Sequence, residues 1–278
     1  MHIKLSIMVL NQIAETTTYL QARIPFNPTI GIVLGTGLGD FVSKIENPVI
    51  IPYSEIPNFP VATVEFHKGN LIFGNVGHKN IVAMQGRFHY YEGYSMQQIT
   101  FPIRVMKALG VQHLFLSNAA GGVNLEHKKG ALVLIEDHLN FLPDNPLRGL
   151  SDVALGERFV DMSAPYNEEL MKLITVAALK QNINLKRGTY AAVMGPNLET
   201  RAEYRWLRST GADMVGMSTV PEVIVANQVG LKCGAISVIT DECDPENLKP
   251  VNIADIIEVA GRADKILSEI MVETISKL

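Results

Sequence analysis

The chain has 278 residues, of which 47% are hydrophobic and 19% are charged, and its formal net charge is −4. This composition is typical of a globular protein with a large core, and the absence of any Lys/Arg cluster argues against a nucleic-acid or membrane-surface role. No apolar run is long enough for a signal peptide or a membrane span, and the two cysteines lie outside any C-x-x-C arrangement, so we expect a reduced, cytoplasmic protein without a zinc site.

Short apolar runs alternate with helical patterns and predict a single α/β domain over residues 1–278, with a central and mostly buried sheet. One helix is predicted after Asn167, a candidate N-cap, and another from Pro221 to a stop at Gly230. A long C-terminal helix is predicted through residues 256–270. The predicted strands are residues 30–35, 71–76, 80–85, 113–118, 131–137, 190–195 and 233–240. Ligand sites in such folds collect where strands end in loops.

The first predicted strand runs into a glycine-rich turn, GTGLGD, at residues 35–40. Such turns commonly bring backbone N–H groups against a phosphate. The dinucleotide fingerprint fails because Asp40 stands at the place of its last glycine, and the P-loop pattern fails because the turn has no lysine. The turn is therefore either a plain turn or an anion site of another kind.

The next two strand ends carry small or polar residues. Arg87 and His89, two apart on an extended segment, offer a guanidinium and an imidazole to an anion, with Tyr91 on the same face. The alternative for this stretch is a solvated edge strand. The sequence NAAGG at residues 118–122 would let a ligand approach the backbone, or would form a tight turn.

Three later strand ends add polar side chains with ordinary structural alternatives. Glu199 is predicted in the first turn of a helix, where a glutamate usually complements the helix dipole. Ser218 and Thr219 stand just before a helix, where N-capping is the usual role. Asp241 ends the last strand, and no EF-hand spacing follows it.

Taken in order, these motifs resemble those of the trimeric purine nucleoside phosphorylases over nearly the whole chain. The resemblance implies a three-layer αβα sandwich with a central mixed, partly barrel-like sheet, assembled as a homotrimer with active sites near subunit boundaries. It also implies phosphorolysis of inosine and guanosine to a free purine and ribose 1-phosphate, with phosphate as co-substrate and no metal or other cofactor. The motifs are GTGLGD, MQGRFHYYEGY, SNAAGG, NPLRG, GPNLETRAE, VGMSTVPEVIVA and ITD.

The resemblance also assigns roles to individual residues. The catalytic residues would be His89, Glu199 and Asp241. Phosphate would be bound by Thr36, His67, Arg87, His89, the backbone of Ala119 and Ser218. The ribose would contact Tyr91 and Met217, and the purine would contact Ala120, Gly121, Leu198, Glu199, Val215 and Asp241.

Four of the positions that depart from the family pattern bear on contacts with the nucleoside. Leu198 stands where many members have phenylalanine, and Leu155 falls where a phenylalanine of the neighbouring subunit caps the sugar, so we expect Leu155 to make that contact. Ala254 stands in place of a histidine that contacts the ribose 5′-hydroxyl. Asp241 replaces the asparagine of most relatives specific for 6-oxopurines, which leads to the hypothesis that adenosine is also turned over.

Two rival interpretations remain open. Methylthioadenosine phosphorylase, a sister activity on the same fold, is favoured by Asp241 and the missing 5′ histidine, whereas the pair Glu199-Thr200 favours the nucleoside phosphorylase. A dinucleotide-binding protein or a ligand-sensing regulatory domain is a rival of another class. The incomplete glycine fingerprint and the polar residues at the other strand ends count against it.

Overall fold

The computed structural model of the chain describes residues 2–36, 39–61 and 68–278. Helices and strands alternate along these residues, as in other α/β proteins. The strands are β1 (Ile30–Leu34), β2 (Glu46–Pro52), β3 (Asn70–Val76), β4 (Lys79–Gln85), β5 (His113–Gly122), β6 (Leu132–Asn140), β7 (Lys186–Ala192), β8 (Met214–Gly216) and β9 (Lys232–Glu242). The α-helices are α1 (His2–Gln21), α2 (Met96–Ala108), α3 (Glu168–Lys180), α4 (Arg201–Ser209), α5 (Val220–Gln228) and α6 (Ile253–Ile275). No helix in these ranges combines the length and the apolar content needed to cross a bilayer.

The strands form one mixed sheet whose far end closes on itself. Their order is β2-β3-β4-β1-β5-β8-β7-β6-β9, and β5 also pairs in parallel with β9. Strands β5, β8, β7, β6 and β9 therefore close into a five-stranded barrel. Helices α3, α5 and α6 contact β9, and α2 packs on α5. The predicted α/β sandwich with a mixed, partly barrel-like sheet is confirmed.

All of the predicted strands are present in the structure, but some of their bounds differ from the prediction and two further strands were not predicted. The strand predicted at 190–195 lies earlier, at Lys186–Ala192, and β5 continues through the NAAGG sequence to Gly122 instead of turning there. Strand β2 was not predicted because most of its residues are exposed, and β8 because it has only three residues. Helix α2 was also missed, although Ser95 and Gln98 form a capping box at its start.

The helix predictions hold for α3, α5 and α6. The Asn167 side chain accepts a hydrogen bond from the Leu170 N–H, as an N-cap does, and α5 has Pro221 in its first turn. The prediction that Glu199 lies in the first turn of a helix is wrong. Thr200 is the N-cap of α4 and forms a capping box with Glu203, so the helix begins after Glu199.

Candidate active site

A cavity of about 370 Å³ opens where β5, β8 and β9 end and where the loops after β1 and β4 begin. Helices α4 and α6 also contribute side chains to its lining. This position, at the ends of sheet strands, is where α/β folds commonly place ligand sites. The lining residues are Gly35, Thr36, Arg87, His89, Tyr91, Asn118, Ala119, Ala120, Gly121, Leu198, Glu199, Tyr204, Val215, Gly216, Met217, Ser218, Thr240, Asp241, Ile253 and Ile256.

The structure brings nearly all of the predicted site residues to this one cavity. Those that line it are Thr36, Arg87, His89, Tyr91, Ala119, Ala120, Gly121, Leu198, Glu199, Val215, Met217, Ser218 and Asp241. His67 lies outside the described residues. Ala254 does not line the cavity, but its neighbours Ile253 and Ile256 do. The side chains are therefore placed together, and their roles stay predictions.

Leu155 is not part of the cavity. Its side chain is 3% exposed and packs with Val9 and Leu150 in a small core of its own. Within the single chain the Leu155 side chain packs into this small core, and its contact with the sugar of a neighbouring subunit stays a prediction. The large apolar side chains exposed near it are Val153, at 90%, and Phe159, at 86%.

The glycine-rich turn is held against β5 at its start. A Cβ on Gly35 would lie 2.7 Å from the Ser117 carbonyl oxygen and 2.8 Å from the Asn118 Cα, so only glycine fits there without displacing the backbone. The Gly35 N–H donates to the Ser117 hydroxyl at 3.3 Å. Thr36 follows and lines the cavity. Gly37 and Leu38 lie outside the described residues.

The far side of the same turn is held by α6. The Asp40 N–H donates to Oδ2 of Asp264 at 2.5 Å, and the Ser268 hydroxyl donates to Oδ1 at 3.3 Å. Burial, with the charge of Asp40 adding to it, raises the pKa of Asp264 to about 6. The C-terminal helix thus fixes the end of the loop that carries Thr36.

Arg87 is 1% exposed, so the interpretation of its segment as a solvated edge strand is wrong. Its Nη1 donates to the Ser117 carbonyl oxygen at 2.9 Å and to the Ser218 hydroxyl at 3.2 Å. Its Nε lies 3.1 Å from Oε1 of Glu222, which is also buried. A buried cation needs such partners, and together they fix the guanidinium at the cavity wall.

The two hydroxyl residues before α5 belong to the same network. Thr219 has a φ of +69°, in the left-handed region that non-glycine residues rarely adopt, and its side chain does not cap α5. Instead its hydroxyl accepts from Asn118 Nδ2 at 2.9 Å and faces Arg87 Nη1 at 3.4 Å. The N-capping interpretation is therefore wrong. The strained backbone turns both hydroxyls towards the arginine.

His89 is oriented by the 3₁₀ turn that follows it. Its Nδ1 lies 2.8 Å from Oε1 of Glu92, and its ring stacks on Tyr91 with 4.7 Å between centroids. Burial first, and then the charge of Glu92, raise the pKa of Tyr91 to about 12, so its hydroxyl stays protonated and can donate. The imidazole, the phenol and the guanidinium of Arg87 all line the cavity.

A second polar group, made of two carboxyls, lies at the ends of β9 and of the loop before α4. Burial raises the pKa of Glu199, and the nearby charge of Asp241 raises it further. Oδ1 of Asp241 accepts from the Thr240 hydroxyl at 2.9 Å, and Oδ2 accepts from the Cys243 thiol at 3.3 Å. Leu198, at the rim beside Glu199, is 43% exposed.

Strand β5 connects the two polar groups. Asn118 on this strand contacts Thr219 in the arginine network, and Gly121, three residues on, lies beside Asp241. Three residues of strand span about 10 Å. The site therefore combines a cationic, hydroxyl-rich group with an acidic group, separated by small and apolar residues, at a distance suited to a ligand with an anion near one end and N–H donors at the other.

Several lining residues had no individual role assigned from the sequence, although Gly35 and Asn118 belong to motifs that it singled out. They are Gly35, Asn118, Tyr204, Gly216, Thr240, Ile253 and Ile256. Asn118 and Thr240 are neighbours of predicted residues on strands already singled out. Tyr204 and the two isoleucines come from helices that only the tertiary fold brings to the site.

Comparisons with known proteins agree with this geometry. Residues 29–276 match the family described as the phosphorylase superfamily. The chain is 48% identical over 252 residues to purine nucleoside phosphorylase 1 of Bacillus subtilis (strain 168), covering 91% of this chain and 93% of that protein. Isoform 2 of purine nucleoside phosphorylase from Schistosoma mansoni, solved in complex with cytosine and ribose-1-phosphate, superposes with a TM-score of 0.92, 42% identity and 96% of each chain covered. Schistosoma mansoni purine nucleoside phosphorylase in complex with adenosine superposes with a TM-score of 0.91 and 38% identity, covering 96% of this chain and 97% of that one.

Proposed function

The chain belongs to the purine nucleoside phosphorylases of the phosphorylase superfamily, and from this premise we propose that it cleaves purine ribonucleosides with phosphate. Inosine and guanosine would give the free purine and ribose 1-phosphate. The observation that carries the proposal is the placement of Arg87, which is buried, fixed and directed at the same cavity that holds Glu199 and Asp241.

The reaction forms one bond and breaks one. A phosphate oxygen bonds to C1′ of the ribose, the bond from C1′ to N9 breaks, and its electron pair leaves with the purine. The sugar passes through a state with oxocarbenium character, as in glycoside hydrolysis. Positioning the anion below C1′ and stabilising the departing base would supply the catalysis.

Phosphate would be held by Arg87, His89 and Ser218, together with Thr36 and the backbone of Ala119. The guanidinium supplies the fixed positive charge, because its other contacts already hold it in place. The imidazole of His89, oriented by Glu92, supplies a second donor. Inorganic phosphate would be the co-substrate, and we propose no further cofactor.

The nucleoside would lie between the two polar groups. Tyr91 and Met217 would contact the ribose. Glu199 would accept the N1–H of a 6-oxopurine and Asp241 a proton on the imidazole side of the leaving purine, while Ala120, Gly121, Leu198 and Val215 would line the base. An ionised carboxylate only accepts hydrogen bonds, so both carboxyls suit a base edge that carries N–H groups.

We further propose a homotrimer that works in the cytoplasm. The exposed Phe159 and Val153 lie in one loop and would contribute apolar area to an association surface. The thiols of Cys233 and Cys243 are both free and buried, which suits a reducing compartment.

A second candidate, phosphorolysis of methylthioadenosine, is favoured by Asp241, because an acceptor suits the exocyclic amine of adenine. The test is base release from inosine, guanosine, adenosine and methylthioadenosine, each with and without phosphate. We expect phosphate-dependent release of hypoxanthine and guanine. Release from methylthioadenosine alone would favour the second candidate, and no phosphate-dependent release from any of the four would contradict both.

A further inference from the structure

Two buried side chains that have no role in the scheme above connect the two carboxyls of the site. Tyr204, on the first turns of α4, is 2% exposed, and Cys243, just after β9, is 1% exposed. Tyr204 lines the same cavity as Glu199, and its hydroxyl lies close to the Glu199 carboxyl, whose pKa it lowers, and close to the Cys243 thiol. The thiol in turn donates to Oδ2 of Asp241 at 3.3 Å. A phenol and a thiol therefore lie between the two carboxyls.

The backbone of β5 keeps this connection in place. A Cβ on Gly121 would fall 2.5 Å from Sγ of Cys243 and 3.3 Å from Oδ2 of Asp241. The strand therefore packs directly against the thiol, and only a glycine at position 121 leaves room for it beside Asp241. The second oxygen of Asp241 is held by the Thr240 hydroxyl at 2.9 Å.

Each carboxyl has its own donor, and each would suit a different base. A hydrogen bond from a hydroxyl or thiol favours the ionised carboxylate, which accepts only. A 6-oxopurine presents N1–H as a donor, whereas adenine has a bare N1 and a donating amine at C6. Glu199 suits the first base, and Asp241 suits the second.

We propose that Tyr204 and Cys243 are positioning residues that set the base preference, Tyr204 by holding Glu199 for 6-oxopurines and Cys243 by holding Asp241 for 6-aminopurines. One cavity would then accept both classes of nucleoside. This inference rests on the proposed phosphorolysis and specifies its substrate class.

The titration of Glu199 gives the proposal a second readout. Burial and the charges of Asp241 and Glu203 raise the pKa of Glu199, and the Tyr204 hydroxyl opposes that rise. Removing the hydroxyl should therefore raise the pKa further. Glu199 must be ionised to accept N1–H. As the pH is lowered, the variant should therefore lose inosine cleavage at a higher pH than the wild type does.

The experiment compares Tyr204→Phe, Cys243→Ala and Cys243→Ser with the wild type. Values of kcat/KM for inosine and for adenosine are measured at saturating phosphate from pH 5 to pH 8. Tyr204→Phe should lower the inosine value about tenfold with a smaller effect on adenosine, and should move the acidic limb of the inosine profile upwards. Cys243→Ala should lower the adenosine value several-fold relative to inosine, and Cys243→Ser, which keeps a donor, should restore it.

The outcomes separate this inference from the proposed function. Equal losses for both nucleosides with an unmoved acidic limb would mean that the two residues only support the fold, and would overturn the proposal. A wild type that cleaves inosine but never adenosine overturns it as well, while leaving the phosphorolysis in place. A wild type that releases no base with phosphate from either nucleoside overturns the proposed function itself. Circular dichroism of each variant shows that it is folded.

Discussion

Nε of Arg87 lies 3.1 Å from Oε1 of Glu222, and neither side chain is more than 4% exposed. Breaking such a buried pair leaves an uncompensated charge in a medium that solvates it poorly. The pair therefore ties the stability of the fold to the anion-binding group of the cavity, because the arginine that would hold phosphate is also a member of the core.

The anion role of Arg87 predicts a selective defect. Arg87→Ala should raise the apparent KM for phosphate by about 10- to 100-fold, since a hydrogen bond to a charged group contributes about 1.5–3 kcal/mol. The KM for inosine should change much less. Glu199→Gln is the matched variant in the acidic group of the cavity. It should raise the KM for inosine and leave the KM for phosphate nearly unchanged. Initial rates with each substrate varied in turn measure both constants, and equal effects of Arg87→Ala on the two would contradict the assignment.

The structural role of the pair predicts a loss of stability. Glu222→Ala should lower the free energy of unfolding by about 3–5 kcal/mol, because Arg87 stays buried without its carboxylate. Lys44 and Glu269 form a half-exposed ion pair that serves as the control, and Glu269→Ala should cost less than about 1 kcal/mol. Denaturant unfolding measures both. A similar loss of unfolding free energy in the two variants would show that burial of the Arg87–Glu222 pair does not increase its contribution to stability.

Asp264 predicts a pH dependence of stability with a definite sign. Its pKa is raised from 3.8 to about 6 by burial, so the folded protein holds this proton more tightly than the unfolded chain. The resulting stability is present at acid pH and is lost as the pH rises through the folded pKa.

Asp264→Asn keeps an acceptor for the Asp40 N–H but cannot ionise. Its melting temperature should match the wild type near pH 4 and exceed it by roughly 3 °C or more at pH 7.5. Glu258, exposed on the same helix, supplies the control Glu258→Gln, for which no such divergence is expected. A constant difference between Asp264→Asn and the wild type across this range would show that Asp264 does not titrate in it.

Much of the fold was readable from the sequence, because buried strands leave apolar runs and helices leave caps. Strand β1, whose residues are all buried, and helix α3, capped by Asn167, have such signals. Strand β2 is mostly exposed and has no comparable pattern. The closure of β5 on β9 is a long-range pairing that no local pattern encodes.

The site was predictable where it lies at strand ends and not where the tertiary fold supplies it. Thr219 was misassigned because N-capping is the usual role of a threonine before a helix. In the structure its hydroxyl instead accepts hydrogen bonds from Arg87 and Asn118. The burial of Leu155 was not predicted because a position in a loop gives no information on burial. Nothing in the sequence distinguishes Tyr204 from any other aromatic residue in the first turn of a helix.

The loop that carries Leu155 and Phe159 predicts two different mutant phenotypes. Leu155→Ala should lower the free energy of unfolding by about 2–5 kcal/mol, because it removes a buried side chain from a small core. Phe159→Ser should leave secondary structure intact but weaken the proposed trimer and raise the KM for nucleoside about tenfold. Sedimentation velocity measures the assembly. A wild type that is monomeric and fully active would contradict the proposed association.

Asp241 is expected to contact the purine base directly. An asparagine accepts one hydrogen bond and donates another, whereas an ionised aspartate only accepts, so beside such an aspartate O6 of a 6-oxopurine would face a negative charge. A mismatched buried hydrogen bond costs about 1–3 kcal/mol, so Asp241→Asn should raise the inosine-to-adenosine ratio of kcat/KM by roughly ten- to a hundredfold. Glu199→Gln should move the same ratio towards adenosine, because a neutral amide no longer demands N1–H. Both ratios come from steady-state rates at saturating phosphate and one pH. Oδ1 and Oδ2 of Asp241 already accept hydrogen bonds from Thr240 and Cys243, so the asparagine amide would have to share those partners. If Asp241→Asn leaves the ratio unchanged, the side chain at position 241 contacts these two neighbours and not the base.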